Sequence, residues 1–299
     1  MSTATQSVSV IIVNYNAGPL LEQSVDSALD DAAVAEVIVS DNGSSDTSIA
    51  TIEGRLSAEP RLTLIENHAN LGFSRGNNIA LPQAHAAYLL FLNPDCLLRP
   101  GTLAGMLEFM QAHPKVGMAG CRIDNPDGTE QASGRRTIPT PFSSFARFSY
   151  LDKLLPRWRP VQSVDLGSQP LPDGPIEVEA ISGAFMLVRR EALEQVGPLD
   201  EDYFLHCEDL DWFMRFRLAD WAIWFVPDYA VIHYKGSCSR RNPVRVLWHK
   251  HHGMVRFFRK FQFQDYPKPL AWLVVAAVWT RFALAATVIW VKGLLQRKA

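Results

Sequence analysis

The feature that most constrains the fold is an alternation, over the first 115 or so residues, of short apolar runs with stretches of helical periodicity. The apolar runs are residues 8–13, 37–39, 62–65 and 88–92. Between them, apolar residues recur at helical spacing, with Leu20, Leu21, Val25, Ala28 and Leu29 in one stripe and Ile49, Ile52 and Leu56 in another. Strands that alternate with helices form mostly parallel sheets that are covered on both faces. We therefore predict a Rossmann-like α/β fold with a mostly parallel central sheet and helices on both faces.

Residues 122–178 interrupt this alternation, because they are rich in Pro, Gly, Ser and Arg. Aromatic residues are interleaved with them, namely Phe142, Phe145, Phe148, Tyr150 and Trp158. A long irregular segment in a compact domain is usually functional or mobile. Regular structure is predicted again after residue 181, with strands at 185–188 and 222–226 and a short helix from residue 191.

Length and composition allow one large core, or one core with an appendage, in 299 residues of which 47% are hydrophobic. The net charge of −2 and the lack of a nucleic-acid-binding signature exclude nucleic acid as an expected partner. The first seven residues are polar and uncharged, so we expect no signal peptide. The cysteines are Cys96, Cys121, Cys207 and Cys238, and without short paired spacings they are expected to be reduced thiols in the cytoplasm.

Residues 269–291 are almost wholly apolar, except for Arg281, and basic residues flank them on both sides. Their length suits a membrane-spanning helix of about 20 residues. An arginine in the middle of a bilayer costs roughly 2.5–3.5 kcal/mol, however. A helix or helical hairpin in the membrane interface, anchored by Trp272, Trp279 and Trp290, fits at least as well. A helix packed on the domain or on a dimer partner is the third interpretation, and membrane association is the prediction.

Acidic residues and one histidine stand where apolar runs or helices begin and end. Asp41 follows the run 37–39, Asp95 closes the segment 88–95, and Asp209 opens a helical pattern. His233 ends a later strand. Ligands of open α/β sheets bind outside the carboxyl ends of the strands, and acids that meet there can coordinate a hard cation and abstract a proton. The pattern predicts an enzyme that acts on a metal-bound phosphate substrate.

The ends of the first two strands carry groups suited to a nucleoside. Tyr15 can stack on a base, and it lies beside Asn16. Asp41, followed by Asn42, can accept a hydrogen bond from a base or a ribose hydroxyl. Ordinary turn residues would give the same pattern, so either interpretation fits this segment alone. The first strand is not followed by Gly-x-Gly-x-x-Gly, which weakens a dinucleotide-binding interpretation.

Residues 67–78 form a glycine-bearing loop that opens a helix. Gly72 precedes the predicted helix, and Arg75 and Asn78 lie within it. Helix starts favour anions through free backbone N–H groups and the helix dipole, and Arg75 can add a charged contact to a diphosphate. A polar turn with a solvated arginine is the equal alternative.

The remaining candidate residues would bind a metal ion or act as the catalytic base. Asp95, with Asn93 two residues before it, can hold Mg²⁺ or Mn²⁺ through oxygen, and His233 can supply a nitrogen. Glu208 and Asp209 open a helix, where acids often only compensate the helix dipole. Their apolar surroundings favour a catalytic base in a pocket. The nearby group His249, His251 and His252 is typical of a solvated or phosphate-facing surface rather than a zinc site.

Taken together, seven segments resemble family-2 glycosyltransferases of the GT-A fold, particularly the bacterial rhamnosyltransferase-like branch. They are residues 8–16, 40–46, 70–78, 90–95, 182–190, 197–212 and 233–237, in the family's order. The resemblance implies that Tyr15 and Asp41 hold the nucleoside and that Asp95 belongs to the family's Asp-x-Asp metal motif. It implies further that His233 completes the metal site and that Asp209 is the catalytic base. The chain departs from the motif with Asn93 in place of the first acid, which makes metal dependence less certain.

The resemblance also implies an organisation and a chemistry. A GT-A domain would span residues 1–245, with a nucleotide-sugar half at 1–115 and an acceptor half at 116–245, and a basic and apolar tail would follow at 246–299. The chemistry would be inverting, metal-dependent transfer of a sugar from a nucleoside-diphosphate sugar such as dTDP-rhamnose. The acceptor would be a hydroxyl of a lipid-linked or polysaccharide molecule in cell-envelope synthesis. The segment 135–160 would close over the acceptor or touch the membrane.

The expected location is the cytoplasmic face of the plasma membrane, with a homodimer as a further option. Two other functions stay open at this stage. A sugar-phosphate nucleotidyltransferase would need a Gly-rich basic loop after the first strand, which residues 14–19 do not offer. A non-enzymatic, membrane-docked module that binds nucleotide sugars would not need Asp209.

Overall fold

The computed structural model describes residues 7–148, 164–234 and 243–296. Its strands are β1 Val8–Asn14, β2 Val34–Asp41, β3 Leu62–Glu66, β4 Tyr88–Leu92, β5 Cys96–Leu98, β6 Val116–Asp124, β7 Arg135–Arg136, β8 Ile176–Glu177, β9 Ala180–Ile181, β10 Phe185–Arg189 and β11 Ala222–His233. Its helices are α1 Pro19–Leu29, α2 Ser48–Leu56, α3 Phe73–Ala80, α4 Thr102–Ala112, α5 Pro141–Phe148, α6 Arg190–Val196, α7 Glu208–Leu218, α8 Pro243–Phe261 and α9 Lys268–Gln296.

In the described part of the chain, nine strands form one mixed sheet. Its order is β3-β2-β1-β4-β10-β6-β11-β5, with β8 paired to β11. The pairs among β3, β2, β1 and β4 are parallel, as is the pair β6–β11. β10 lies antiparallel between β4 and β6, and β5 and β8 are antiparallel to β11. The predicted α/β sheet is confirmed, with antiparallel strands inserted in its second half.

Helices cover both faces of the sheet, as predicted. Val10 and Ile12 of β1 face a core that includes side chains of α1, α2 and α4. Ile11, between them, points to the opposite core, which α3, α6 and α7 cover. Successive side chains of a strand point to opposite faces, so a central strand that is covered on both faces is buried at every position. All seven residues of β1 and all five of β4 are buried.

The region predicted as irregular contains short regular elements. β7 pairs with β9 in a separate two-stranded sheet, and α5 follows β7. Tyr150 and Trp158 lie outside the described residues. β11 runs as one twelve-residue strand where the sequence suggested two. Its register shifts between Val226 and Ala230, around Pro227, and a proline inside a sheet is tolerated at such irregularities.

The C-terminal helices form an antiparallel pair. Val255 and Phe258 of α8 pack against Ala271 and Val275 of α9. α8 also contributes Phe257 to the core on the second face of the sheet. Among the described residues, one helix is long and apolar enough to cross a membrane, at residues 268–292.

Candidate active site

Asp95 and His233 meet at the carboxyl end of the sheet. The antiparallel pairing of β5 with β11 sets His233 opposite Cys96, the residue after Asp95. His233 Nε2 lies 3.1 Å from Asp95 Oδ1, and both side chains are buried. Asn93 Nδ2 lies 3.4 Å from the same ring nitrogen. The structure thus brings together the three residues for which the sequence predicted a metal site.

A hydrogen bond to Gln131 orients the His233 ring and selects the tautomer of its neutral form. His233 Nδ1 lies 2.8 Å from Gln131 Oε1, and an amide oxygen can only accept. A neutral His233 therefore carries its proton on Nδ1 and presents a lone pair on Nε2. In that tautomer the Nε2 lone pair faces a carboxylate oxygen of Asp95 at 3.1 Å and the Asn93 amide nitrogen at 3.4 Å. The role of Gln131 gave no signal in the sequence, because Gln131 is 102 positions from His233.

The donor set fits a divalent cation that a substrate helps to bind. Among the described residues, no group of three or more His, Cys, Asp or Glu side chains could hold a metal ion without other ligands. The protein would supply a carboxylate oxygen from Asp95 and a nitrogen from His233. Mg²⁺ is commonly held by one or two carboxylates together with substrate phosphates, and imidazole suits transition metals.

Asp209 is held at the start of α7 by an arginine that the sequence analysis did not single out. Arg136 Nη2 lies 2.5 Å from Asp209 Oδ2 and 2.6 Å from the carbonyl oxygen of Ile181. Asp209 Oδ1 accepts from the Leu210 backbone N–H at 2.8 Å. The Asp209 side chain is only 15% exposed. The carboxylate is therefore fixed in orientation and retains limited access from the site.

Glu208 is in a different environment from its neighbour. Its side chain is buried, and Oε2 has no hydrogen-bond partner among the described residues. Burial, with a further contribution from the charge of Asp209, raises the pKa of Glu208 well above its ordinary value. Of the two acids predicted to be catalytic, Asp209 is partly exposed, whereas Glu208 is buried and resists ionisation.

A backbone with positive φ leads into this helix. His206 and Cys207 both have φ of 71°, a conformation that costs L-residues on the order of 1–3 kcal/mol. Gly253 of α8 packs directly on them, because a methyl group there would lie 2.7 Å from the His206 carbonyl oxygen. Packing of α8 thus supports the turn that presents Asp209.

The segment 182–184 connects the candidate base with the candidate metal pair. A methyl group at Gly183 would lie 3.7 Å from Asp209 Oδ2. The next residue, Ala184, accepts a hydrogen bond from the Asn93 backbone N–H at 3.0 Å. Asp209 and the Asn93–Asp95 turn therefore border the same short stretch of chain, although they are more than 100 positions apart in the sequence.

A hydrogen-bonded network joins the ends of β1 and β2. Asn14 Nδ2 donates to Asp41 Oδ1 at 2.8 Å and to Ser44 Oγ at 2.9 Å. Ser44 donates to Asp41 through its backbone N–H at 2.9 Å and through its hydroxyl. The network fixes the Asp41 carboxylate at the end of β2. Tyr15, which directly follows β1, lies at the same edge of the sheet and is half-buried. Asn16, with φ of 56°, accepts from Ser45 N–H at 2.8 Å and so shapes the same turn.

The other predicted nucleotide-binding residues make contacts within the protein. Asn42 donates to the Gly72 carbonyl oxygen at 2.9 Å. Asn78 donates to the carbonyl oxygen of Leu199 at 2.8 Å and accepts from its N–H at 3.1 Å. Arg75 is more than half exposed, and its Nε lies 3.8 Å from Glu201 Oε2. Their contact with a nucleotide stays a prediction, and their contacts here position the loop that contains Gly72.

Both the backbone conformation and the lack of room for a side chain require glycine at position 72. Its φ is 87°, and a methyl group there would lie 2.4 Å from the Phe204 carbonyl oxygen. Phe204 also accepts a hydrogen bond from the Phe73 N–H at 2.8 Å through that oxygen. The close approach joins the start of α3 to the segment that leads to Glu208 and Asp209.

We expect Gly72→Ala to destabilise the protein more than Gly128→Ala, as measured by urea unfolding. Gly128 has a matching φ of 86°, but nothing lies within 4 Å of an added methyl group. The left-handed conformation should cost both variants on the order of 1–2 kcal/mol. Gly72→Ala should cost about 1–3 kcal/mol more, because overpacking forces the backbone to move. Equal losses in the two variants would contradict the close contact.

The fold and the site define a class of protein. A mixed α/β sheet carries a polar network at the ends of β1 and β2 and an Asp–His pair at the end of β11. The fixed Asp209 carboxylate borders the same segment, 182–184, as the Asn93–Asp95 turn. This is the arrangement of a glycosyltransferase of the GT-A fold that uses nucleotide sugars. The chain belongs to glycosyl transferase family 2, whose family model matches residues 9–197, and it is a glycosyltransferase.

Two proteins that are named rhamnosyltransferases are similar to this chain in sequence. The chain is 29% identical over 281 residues to an N-acetylglucosaminyl-diphospho-decaprenol L-rhamnosyltransferase of Mycobacterium tuberculosis, covering 90% of this chain and 89% of the relative. It is 27% identical over 176 residues to rhamnosyltransferase WbbL of Escherichia coli K12, covering 56% of this chain and 63% of that one.

A solved structure shows the fold. The mannosyltransferase PcManGT of Pyrobaculum calidifontis, in complex with GDP-Man and Mn²⁺, matches 98% of this chain and 80% of its own. The TM-score is 0.56 at 19% identity.

Proposed function

We propose that this glycosyltransferase moves a sugar from a nucleoside diphosphate to a hydroxyl of a lipid-linked or polysaccharide acceptor in cell-envelope synthesis. The first candidate for the donor is dTDP-rhamnose, since two relatives are named rhamnosyltransferases. The name of the mycobacterial relative also specifies a lipid diphosphate acceptor. The observation that carries the proposal is the approach of Asp209 and the Asp95–His233 pair to the segment 182–184.

The proposed reaction is a single displacement with inversion. The acceptor hydroxyl oxygen forms a bond to the anomeric carbon while the bond from that carbon to the diphosphate oxygen breaks. Asp209 takes the proton of the hydroxyl as general base, and the electron pair of the broken bond leaves with the nucleoside diphosphate. Arg136 positions the Asp209 carboxylate during this transfer, and Arg75 is assigned to the diphosphate.

Asp95 and His233 would hold a divalent cation, Mg²⁺ or Mn²⁺, with Asn93 beside them. The convergence of the Asp95 carboxylate and the His233 lone pair supports this assignment. When bound, such a cation stabilises negative charge on a departing diphosphate. Tyr15 and Asp41 would hold the nucleoside, with the Asn14 and Ser44 hydrogen bonds keeping the Asp41 carboxylate in place.

The membrane is the proposed site of action. A lipid-linked acceptor is available only at a bilayer, and α9 exposes apolar side chains along its length. We place the enzyme on the cytoplasmic face of the plasma membrane, attached through the C-terminal helices, where it could also form a homodimer. Neither alternative function gains support: residues 14–19 contain no cation for a triphosphate, and a binding module would not need a fixed Asp209.

We expect a nucleoside diphosphate with Mn²⁺ to raise the melting temperature by about 5–11 °C at 100 times its Kd. Binding at that concentration stabilises the folded state by about 2.7 kcal/mol, and a domain of this size gains roughly 2–4 °C per kcal/mol. Screening uridine, thymidine and guanosine diphosphates and their sugars, each with and without Mn²⁺, would identify the donor base. Nucleoside monophosphates are the matched control. A lack of response to every sugar nucleotide would refute the proposal.

A further inference from the structure

We infer that α9 lies in the plane of the membrane, with its exposed apolar face on an anionic bilayer surface, and does not cross the bilayer. The inference deepens the proposed membrane attachment and rests on it. It decides between spanning and surface attachment, which the length and composition of α9 leave open.

The first half of α9 is fixed to α8. Ala271 and Val275 are buried against Val255 and Phe258. Farther along, Arg281 Nη1 lies 3.2 Å from His251 Nε2. His251 is fully buried, and its Nδ1 lies 2.8 Å from the Leu247 carbonyl oxygen. A neutral ring donates from Nδ1 and accepts from Arg281 at Nε2, so the single arginine of the apolar segment has a protein partner.

α8 in turn is fixed to the catalytic domain. Phe257 lies in the core of the domain, and Gly253 packs on the His206 carbonyl oxygen. Arg256 and Lys260 make ion pairs with Asp200, at 2.9 Å and 2.8 Å. α9 therefore cannot enter lipid along its first half unless α8 and part of the domain enter with it.

The charges of α8 make such entry unfavourable. Its Lys and Arg residues are Arg245, Lys250, Arg256, Arg259 and Lys260, and it contains no acidic residue. Insertion of a Lys or Arg side chain at the bilayer centre is strongly unfavourable. The packed half of α9 must accordingly remain at the level of the headgroups.

The remaining part of α9 is too short to cross. After Phe282, whose ring contacts His251, the helix continues for residues 283–296. At 1.5 Å per residue these residues extend about 21 Å, whereas the hydrocarbon core is about 30 Å thick.

The exposed apolar side chains instead follow one face from end to end. Leu270, Leu273, Leu284, Val288 and Val291 are all exposed and recur at helical spacing. They lie away from the face of α9 that carries Ala271 and Val275. Trp272 and Trp290, exposed near the two ends, suit the interfacial region, where tryptophan is enriched. Exposed apolar side chains near both ends of one face match a helix that lies along a surface rather than one that crosses the bilayer.

The positive charge of the C-terminal helices indicates that the exposed apolar face of α9 binds an anionic bilayer. Residues 243–296 contain eight Lys or Arg residues and a single acid, Asp265, in a chain with an overall charge of −2. Lys268 and Lys292 flank the apolar face and are exposed, and Arg259 lies over the Trp272 ring at 5.3 Å. Lysine and arginine side chains near an anionic membrane surface strengthen binding to that surface.

The topology is tested with reporters fused after Ala299 of the full chain in bacterial cells. We expect a cytoplasmic fluorescent reporter to be active and an alkaline phosphatase reporter to be inactive, because the C-terminus stays on the side of the catalytic domain. Phosphatase activity would show that α9 crosses the membrane and would overturn the inference. The readout does not depend on sugar transfer, so failure of the proposed reaction is distinguishable.

The surface is tested by flotation of the purified chain with phosphatidylcholine vesicles, with and without phosphatidylglycerol. Leu273→Glu combined with Leu284→Glu should reduce vesicle binding roughly 100-fold, because both exposed leucines lose their burial against the bilayer. Leu218→Glu is the matched control, because Leu218 is 69% exposed on α7, outside the C-terminal helices. This variant should bind vesicles as the wild type does. The inference would be overturned if the wild type did not float with vesicles but formed a dimer without lipid, and if the double variant disrupted that dimer. The exposed apolar face of α9 would then bind a second copy of the chain.

Discussion

Replacement of Asp209 by Asn is expected to reduce kcat at least 100-fold and to leave the affinity for the nucleoside diphosphate unchanged. General base catalysis contributes about 10²–10⁴ to such reactions, and an amide cannot take the proton of the acceptor hydroxyl. The shape of the side chain is retained, and its amide oxygen can still accept from Arg136, which lies 2.5 Å from Asp209 Oδ2. Transfer is measured with a purified acceptor, and binding is measured by calorimetry.

The matched control is Asp202→Asn. It removes one carboxylate from the segment that precedes α7, but the Asp202 side chain is 71% exposed and pairs with Arg256. We expect its kcat to stay within about twofold of the wild type, since surface ion pairs contribute little. Wild-type transfer by Asp209→Asn would contradict the assignment of the base. Loss of nucleotide affinity in Asp209→Asn would instead indicate that Asp209 supports the donor site.

The sequence was sufficient for the first half of the sheet, for a physical reason. Strands β1, β2 and β4 are buried on both faces, so their continuous apolar runs mark them, and the intervening helices carry clear apolar stripes. The positions of Asp41 and Asp95 at strand ends then follow from the parallel arrangement. In the second half the direction of β10 could not be read, because a strand buried on both faces has the same composition in either direction.

The supporting contacts of the site could not be predicted from the sequence. Arg136 meets Asp209 across 73 positions, and Gln131 meets His233 across 102. Both lie in the Pro- and Gly-rich region, which lacks the periodicity from which elements are predicted. Their positions depend on the pairing of β7 with β9 and on the end of β11, and such long-range pairings leave no local signal in the chain.

The predicted nucleotide-binding residues show a different limit. Residue type correctly indicated polar loops at Asn42 and Asn78, but an amide in a loop can bind a ligand or fix the loop itself. Here Asn78 bonds both backbone groups of Leu199, and Asn42 bonds the Gly72 carbonyl oxygen. Sequence alone does not separate the two roles, because both require the same donors and acceptors.

Asp95→Ala is expected to abolish the additional stabilisation that Mn²⁺ gives to the nucleotide-bound protein. The carboxylate is the only charged group of the proposed ligand pair when His233 is neutral, so its loss leaves one nitrogen ligand. Even removal of a residue that supports a metal ligand weakens metal affinity about 10–100-fold, and loss of the ligand itself should weaken it at least as much. The measurement is the melting temperature with nucleoside diphosphate, with and without Mn²⁺.

His233→Ala should give the same loss, whereas His85→Ala, at an exposed histidine, should respond to Mn²⁺ as the wild type does. Gln131→Leu should fall between them, because it keeps both ligands and removes the acceptor that places the His233 proton on Nδ1. The nucleotide alone should still stabilise every variant, since Asp41 and Tyr15 lie at the ends of other strands. A full Mn²⁺ response in Asp95→Ala would show that the cation is held elsewhere, and the Asp95–His233 contact at 3.1 Å would then be a simple ion pair.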